Sequence, residues 1–71
     1  MEKIDFNLEG EYIELIQLLK ATGIAQTGGH AKMIVDNSGV IRDGEVEERR
    51  RAKLKKGDII EVEDAVRIEL V

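Results

Sequence analysis

The chain has 71 residues, 42% of them hydrophobic and 37% charged, which predicts one small folded domain and argues against disorder. It contains no cysteine, so disulfides and thiolate metal sites are excluded. No apolar run approaches the roughly 18–20 residues that span a bilayer. The acidic start MEKIDFNLEGEY also lacks the features of a signal peptide. We therefore expect a cytoplasmic protein with no membrane partner.

Charges are distributed unevenly along the chain. The net charge is −4, yet residues 42–56 carry seven of the 11 lysines and arginines against four acids. Residues 1–16 and residues 57–71 each carry five acids and one cation. This pattern predicts one basic face and two acidic ends, and a basic face is a candidate surface for a polyanion.

The N-terminal half predicts a strand followed by two helices. Apolar and polar residues alternate in KIDFNLEG, which is typical of a half-buried strand. Isoleucines and leucines recur at three- and four-residue spacings in EYIELIQLLKATG, which predicts a helix with Gly23 as its C-cap. The second helix is predicted in TGGHAKMIVDNSG, with Thr27 as N-cap and Gly39 ending it in a left-handed conformation.

The C-terminal half predicts strands. Asp43–Gly44 is a strong two-residue turn signal between apolar flanks, so residues 40–47 read as a hairpin. ERRRAKLKKGD is interpreted as a basic connection. Two short strands follow at residues 59–63 and 66–71, turning at Glu63–Asp64. The order of elements predicts a small α+β domain.

Adjacent glycines at the start of the second helix are a candidate anion site. The first N–H groups of a helix have no intrahelical partner, and Gly28 and Gly29 have no Cβ to keep a bulky anion away. Thr27 and His30 could add hydrogen bonds, and Lys32 a positive charge. An ordinary turn, or close packing of two helices, would explain the glycines equally well. The spacing of a nucleotide-binding P-loop is absent.

The basic run also has two explanations. Arg49, Arg50 and Arg51 could bind phosphates, or they could form a solvated loop paired with neighbouring glutamates. Three successive side chains cannot all point the same way from an extended backbone. The two aromatic residues, Phe6 and Tyr12, are expected in or near the core, which leaves no platform for stacking single-stranded bases. A nucleic-acid ligand would then be bound through its phosphates and its folded shape.

Catalysis and cofactors find no support. Ser38, His30 and the scattered aspartates form no recognisable triad, and no carboxylate pair stands out. His30 is the only histidine, which argues against a metal site in a chain without cysteine. We expect a protein that is not an enzyme and that needs no cofactor, metal or small-molecule substrate.

Three stretches in this order resemble a known family: YIELIQLLKATGIAQTGGHAKMIV, GEVEERR and KLKKGDIIEV. They resemble the RNA-binding domain named for the fourth protein of the small ribosomal subunit, also called the alpha-L RNA-binding motif. The similarity is greatest to its small stand-alone bacterial branch, the YbcJ-like proteins. It covers residues 4–63 and rests on the leucine-rich first helix, the Gly-Gly-x-Ala-Lys helix start, Gly-Glu-Val-Glu-x-Arg-Arg and Leu-x-x-Gly-Asp.

This resemblance implies a fold and a function. Two helices should pack against a small, bent, mostly antiparallel sheet, and residues 1–71 should form a single stand-alone RNA-binding domain. RNA binding is assigned in the family to the helix-pair face and the adjoining basic loop. The positions carried over are Thr27, Gly28, Gly29, Lys32, Arg49, Arg50 and, less directly, Arg42. Charge adds Arg51 and Lys53 to these candidates, and position adds His30.

Two departures from the family pattern affect the candidate site. Asp43 stands where relatives have a neutral amide in the hairpin, which places a carboxylate near the expected phosphate. His30 replaces the usual glutamate of a capping box, so that box is expected to be lost. A protonated His30 could instead contact phosphate and strengthen binding at lower pH, a hypothesis that unchanged pH dependence in His30→Gln would contradict.

Two functions therefore remain open at this stage. The first is a non-catalytic RNA-binding protein that recognises structured RNA, with ribosomal RNA or ribosomal particles as the expected partner. The alternative is a protein–protein interaction domain that docks through the basic loop or a sheet edge.

Overall fold

The computed structural model describes all 71 residues. The chain forms seven short strands and two consecutive helices. In chain order they are β1 (Glu2–Phe6), β2 (Ile13–Glu14), α1 (Leu15–Ala21), α2 (Gly28–Asp36), β3 (Val40–Arg42), β4 (Glu45–Val46), β5 (Lys53–Leu54), β6 (Ile59–Val62) and β7 (Val66–Leu70).

The two helices pack against a mixed sheet, which confirms the predicted α+β class. Five strands form the main sheet in the order β1-β7-β6-β3-β4, and β2 and β5 form a separate two-stranded ladder. All pairs are antiparallel except β1 with β7, which are parallel and aligned from Glu2↔Val66 to Phe6↔Leu70. This parallel pair brings the acidic N-terminal and C-terminal segments side by side.

Helix α1 begins later than the periodicity predicts. Ile13 and Glu14 are in an extended strand, paired with Leu54 and Lys53 of β5. The first helical N–H groups are satisfied by the basic segment: Leu15 N donates to the Ala52 carbonyl at 2.9 Å, and the following N–H donates to the Arg50 carbonyl at 3.2 Å. Because these groups need partners, the backbone of residues 50–52 serves as the N-terminal cap of α1.

Helix α2 has the predicted start and an unexpected end. The Thr27 hydroxyl oxygen accepts a hydrogen bond from His30 N at 3.0 Å, which confirms the N-cap. At the other end Ser38, with φ of 59°, is the left-handed residue, so the prediction for Gly39 is wrong. Gly39 is needed for a different reason, since a Cβ there would lie 2.8 Å from the Ile34 carbonyl oxygen.

Both predicted turns are present. Asp43 and Gly44 have φ of 49° and 91°, the pair of positive values that a type I′ hairpin turn requires. The Asp43 carboxylate also accepts a hydrogen bond from Ile59 N at 2.9 Å, which ties the hairpin to β6. Glu63 and Asp64 both adopt positive φ between β6 and β7.

One hydrophobic core joins the helices to the sheet. Fifteen buried hydrophobic residues form a single cluster, which includes Leu18 of α1, Val35 of α2 and Ile60 of β6. Phe6 is half-buried and packs against this cluster as expected. Tyr12 does not, because 44% of its surface is exposed. Neither helix combines the length and the apolar character needed to cross a membrane.

Candidate nucleic-acid interface

Gly28 and Gly29 form the first turn of α2, and the space beside them is open. A Cβ added at Gly28 would meet nothing within 4 Å, and one at Gly29 would meet only the Thr27 hydroxyl at 3.8 Å. Close packing of two helices therefore does not explain these glycines. They leave the helix N-terminus accessible, and that N-terminus carries partial positive charge.

His30 does not complete a capping box, because its side chain bonds the N–H of Gln26 and not that of the N-cap, Thr27. Its Nδ1 accepts a hydrogen bond from Gln26 N at 3.4 Å, while its own N–H is bonded to the Thr27 side chain. The ring is thus held beside the start of α2 on the exposed surface.

One face of α2 carries charged residues, and the last of them contacts the basic stretch between β4 and β6. Gly28, Lys32 and Asp36 follow one another at four-residue intervals, so they lie along one stripe. The Asp36 carboxylate binds the Arg50 guanidinium through two hydrogen bonds, and the Nε–Oδ1 distance is 2.9 Å. The hydrogen bonds and charge of Arg50, with a smaller contribution from the charge of Lys32, lower the pKa of Asp36. Lys32 itself forms no ion pair.

Glu47 organises two of the predicted RNA-binding arginines. Arg49 donates from Nε and Nη2 to the two carboxylate oxygens, each at 3.1 Å, and its backbone N–H donates to the same group at 3.1 Å. Arg42 adds a contact of 3.3 Å from Nη1. Glu47 is the one buried charged residue of the protein. Hydrogen bonds from Arg49, and then from Arg42, lower its pKa to about 2 against the opposing effect of burial.

Arg42 is committed to further partners inside the protein. Its Nη2 donates to the Lys53 carbonyl and to the Asp58 carboxylate, both at 3.0 Å. Its side chain is 23% exposed. Arg42 thereby links β3 to β5 and to the start of β6, and we call this group of Arg42, Glu47, Arg49 and Asp58 the Glu47 cluster.

Residues 51–55 present cations on one side only. Arg51, Lys53 and Lys55 are exposed, whereas Ala52 and Leu54 between them are buried in the core. This alternation follows from the period of two of an extended chain. The three exposed cations line a groove of 540 Å³, which Arg42 and Arg49 also line.

A second groove continues the first. It has a volume of 600 Å³, shares Lys53 and Lys55 with its neighbour, and adds Lys56 and Tyr12. The Lys53 ammonium lies 4.9 Å from the centroid of the Tyr12 ring, a cation–π contact. We call the two grooves together the basic trough, with Arg51, Lys53, Lys55 and Lys56 as its cations. None of these four cations forms an ion pair; the ion pairs of the chain are formed by Lys3, Arg42, Arg49, Arg50 and Arg67.

The ten predicted site residues thus fall into four groups. Thr27, Gly28, Gly29, His30 and Lys32 lie on the first turns of α2; Arg42 and Arg49 belong to the Glu47 cluster; Arg51 and Lys53 line the basic trough; and Arg50 binds Asp36 at the end of α2. The three successive arginines lie at a turn and differ in their partners: Arg49 binds Glu47, Arg50 binds Asp36, and Arg51 forms no ion pair. Sequence reasoning missed Lys55, Lys56 and Tyr12, although the alternation RAKLK contained the signal for Lys55.

Comparison with known proteins identifies the family. The family model of the S4 domain matches residues 6–71. The chain therefore belongs to the S4-domain family, which confirms the resemblance seen in the sequence. The chain is also similar to a protein of Bacillus subtilis (strain 168) named "Probable ribosome maturation protein RlbA", with 37% identity over 57 residues that cover 80% of each chain.

Proposed function

We propose that the protein is a non-catalytic RNA-binding protein that recognises structured RNA, with ribosomal RNA as its target. Membership of the S4-domain family and a relative named for ribosome maturation both favour an RNA-binding or ribosome-related role. The observation that carries the proposal is the row of unpaired cations in the basic trough. A cytoplasmic location, with no cofactor and no small-molecule substrate, belongs to the same proposal.

Cations of the trough act on phosphates. Arg51, Lys53 and Lys55 have no carboxylate partner, so they can neutralise phosphates without first breaking an internal ion pair. Each neutralised phosphate releases a condensed counterion, which makes the affinity fall steeply with salt. Recognition follows the backbone and shape of the RNA, because side chains cannot read the deep, narrow major groove of an A-form helix.

The start of α2 provides a second contact. The backbone around Gly28 and Gly29 is open, and the Thr27 hydroxyl, His30 and Lys32 surround it. Partial positive charge at the helix end and free N–H groups suit a phosphate oxygen. This contact orients the RNA relative to the trough.

The paired arginines have different roles in this proposal. The Arg50–Asp36 pair is exposed on both sides, so Arg50 can exchange the carboxylate for a phosphate at little cost. Arg49 is also exposed at its guanidinium, but it binds Glu47 by two side-chain contacts and one backbone contact. Arg42 positions the loop rather than contacting RNA, because its guanidinium already has two acids and a carbonyl as partners.

A salt titration tests the proposal. The purified protein is titrated with total bacterial ribosomal RNA across a range of salt, beside the double variant Arg51→Gln/Lys53→Gln and the control Lys20→Gln, an exposed lysine of α1 outside both grooves. We expect steep salt dependence in the wild type and the control, and a shallower slope in the double variant. Absence of binding even at low salt, or salt-resistant binding to a protein instead, would favour the protein-docking alternative.

A further inference from the structure

Tyr12 occupies an unusual position for one of only two aromatic residues. Its ring borders the basic trough on one side and a more apolar groove of 320 Å³, lined in part by Phe6, Leu8 and Ile13, on the other. The side chain is far from fully buried although the core is adjacent. An accessible aromatic face beside cations is the combination on which proteins stack nucleic-acid bases.

A rigid turn places lysines next to this ring. Asp58 N donates to the Lys55 carbonyl at 3.0 Å, and the Asp58 carboxylate accepts from Lys55 N at 2.9 Å. Gly57, the third residue of this turn, has the positive φ of 95° that a type II turn needs at that position. Lys55 and Lys56 are therefore presented on a backbone that is already fixed before any ligand binds.

Charge at this end of the trough is unbalanced. Lys53, Lys55 and Lys56 form no ion pair, and Glu11, the one acid on the wall, forms none either. Three cations and one acid leave a net positive site. Its volume of 600 Å³ lies within the range of about 300–1,000 Å³ that is usual for small-ligand sites.

We propose that the Tyr12 end of the basic trough binds one unpaired nucleotide of the RNA, with the base stacked on Tyr12 and the flanking phosphates on Lys55 and Lys56. This inference rests on the proposed function and deepens it, because it names the element of the structured RNA that the protein selects. A base within a continuous duplex has both faces covered by its neighbours, so only an unpaired base can stack on a side chain.

The incoming base replaces the Lys53 ammonium on the Tyr12 ring. In the free protein that ammonium covers the Tyr12 ring at 4.9 Å. A base on an aromatic ring is a stronger contact than an exposed cation–π pair, and the lysine side chain is flexible. The ammonium therefore leaves the ring when the base arrives and pairs with a phosphate.

The test compares two RNAs that differ by one nucleotide. One is a blunt RNA duplex, and the other is the same duplex with a single bulged adenosine. Tyr12 is the only tyrosine of a chain without tryptophan, so the intrinsic fluorescence of the protein reports on this ring. We expect the bulged RNA to bind at least about fivefold more tightly than the blunt duplex, and to quench the fluorescence more strongly at equal occupancy.

Variants separate this inference from the proposed function. Tyr12→Leu should bind both RNAs with the affinity of the blunt duplex, whereas Tyr12→Phe should keep the preference because it keeps the ring. Lys56→Gln should weaken binding of the bulged RNA more than Lys20→Gln does. Equal affinities of the wild type for the two RNAs, or a preference that survives in Tyr12→Leu, would overturn the inference while leaving RNA binding intact. Failure of the wild type to bind either RNA would contradict the proposed function itself.

Discussion

The Glu47 cluster and the basic trough are both rich in cations, yet the fold treats them differently. Arg42 is hydrogen-bonded to Glu47, to Asp58 and to a backbone carbonyl, so its charge is compensated inside the protein. Lys53, whose carbonyl accepts from Arg42, and Lys55, three residues before Asp58, have no ion-pair partner. The contrast shows that charge density alone does not define a binding surface. Cations without internal partners are the ones that remain available to a ligand.

Loss of the Glu47 carboxylate should have the largest effect on the fold. In Glu47→Ala, Arg42 keeps one acid, Arg49 keeps none, and the Arg49 N–H loses its acceptor. We expect the free energy of unfolding to fall by about 2–3 kcal/mol, less than for a fully buried pair, because the Arg49 guanidinium is 72% exposed and water screens it. Urea denaturation measures this change. Glu48, the next residue in the chain, is exposed, so Glu48→Ala is the control. Equal stability losses in Glu47→Ala and Glu48→Ala would refute the structural role of the Glu47 cluster.

Acid should remove the same contribution reversibly. The pKa of Glu47 is about 2 in the folded protein, against 4.5 for an unperturbed glutamate. A carboxyl whose pKa is lower in the folded protein than in the unfolded chain stabilises the fold at every pH above the unfolded-chain pKa. That stabilisation disappears as the pH falls from about 5 to 2. Because water screens the exposed Arg49 guanidinium, the wild type should lose about 2 kcal/mol more across this range than Glu47→Ala does, which is less than the full pKa shift implies. Parallel pH profiles of the two proteins would contradict the assignment.

Two glycines show the same difference in the backbone: the fold requires Gly39, whereas the space beside Gly29 is open to a ligand. Gly39→Ala should destabilise the protein by about 2 kcal/mol, because the new Cβ would be forced against the Ile34 carbonyl. Gly29→Ala should leave the stability unchanged or raise it by about 0.5 kcal/mol, since the space there is open. Thermal unfolding of both variants measures the difference. Destabilisation of Gly29→Ala comparable to that of Gly39→Ala would show that the fold, and not a ligand, requires the glycine.

The exposed Arg50–Asp36 pair should contribute least to stability. Arg50→Gln is expected to change the free energy of unfolding by less than about 1 kcal/mol, because water screens both partners. Urea denaturation at low and high salt is the measurement. A loss as large as that of Glu47→Ala would place Arg50 with the structural arginines.

Local chemistry explains why much of the fold was predictable from the sequence. The turn at Asp43–Gly44 and the Thr27 cap depend on residues that are neighbours in the chain. The late start of α1 was not predictable, because Ile13 and Glu14 join a strand pair with residues far along the sequence. The periodicity of the leucines gives no sign that Ile13 and Glu14 pair with β5 instead of joining the helix.

The candidate site was predictable only in part. The sequence singled out Arg42, but its contact with Asp58 depends on the pairing of β3 with β6, which no local pattern encodes. The exposure of Tyr12 likewise depends on how β2 meets β5. The position of Lys55 could have been predicted, because alternation with buried Ala52 and Leu54 is visible in the sequence once residues 51–55 are taken as extended rather than as a loop.

The most direct test of the account compares two double variants that each remove two positive charges. The salt dependence of ribosomal RNA binding is measured for Arg51→Gln/Lys53→Gln, from the basic trough, and for Arg49→Gln/Arg50→Gln, from the paired arginines. Each lost phosphate contact should lower the slope by about 0.7–0.9. We predict a reduction approaching two contacts for the trough variant and a smaller one for the arginine variant. An equal or larger reduction in Arg49→Gln/Arg50→Gln would show that the internally paired arginines, and not the free cations of the trough, hold the RNA.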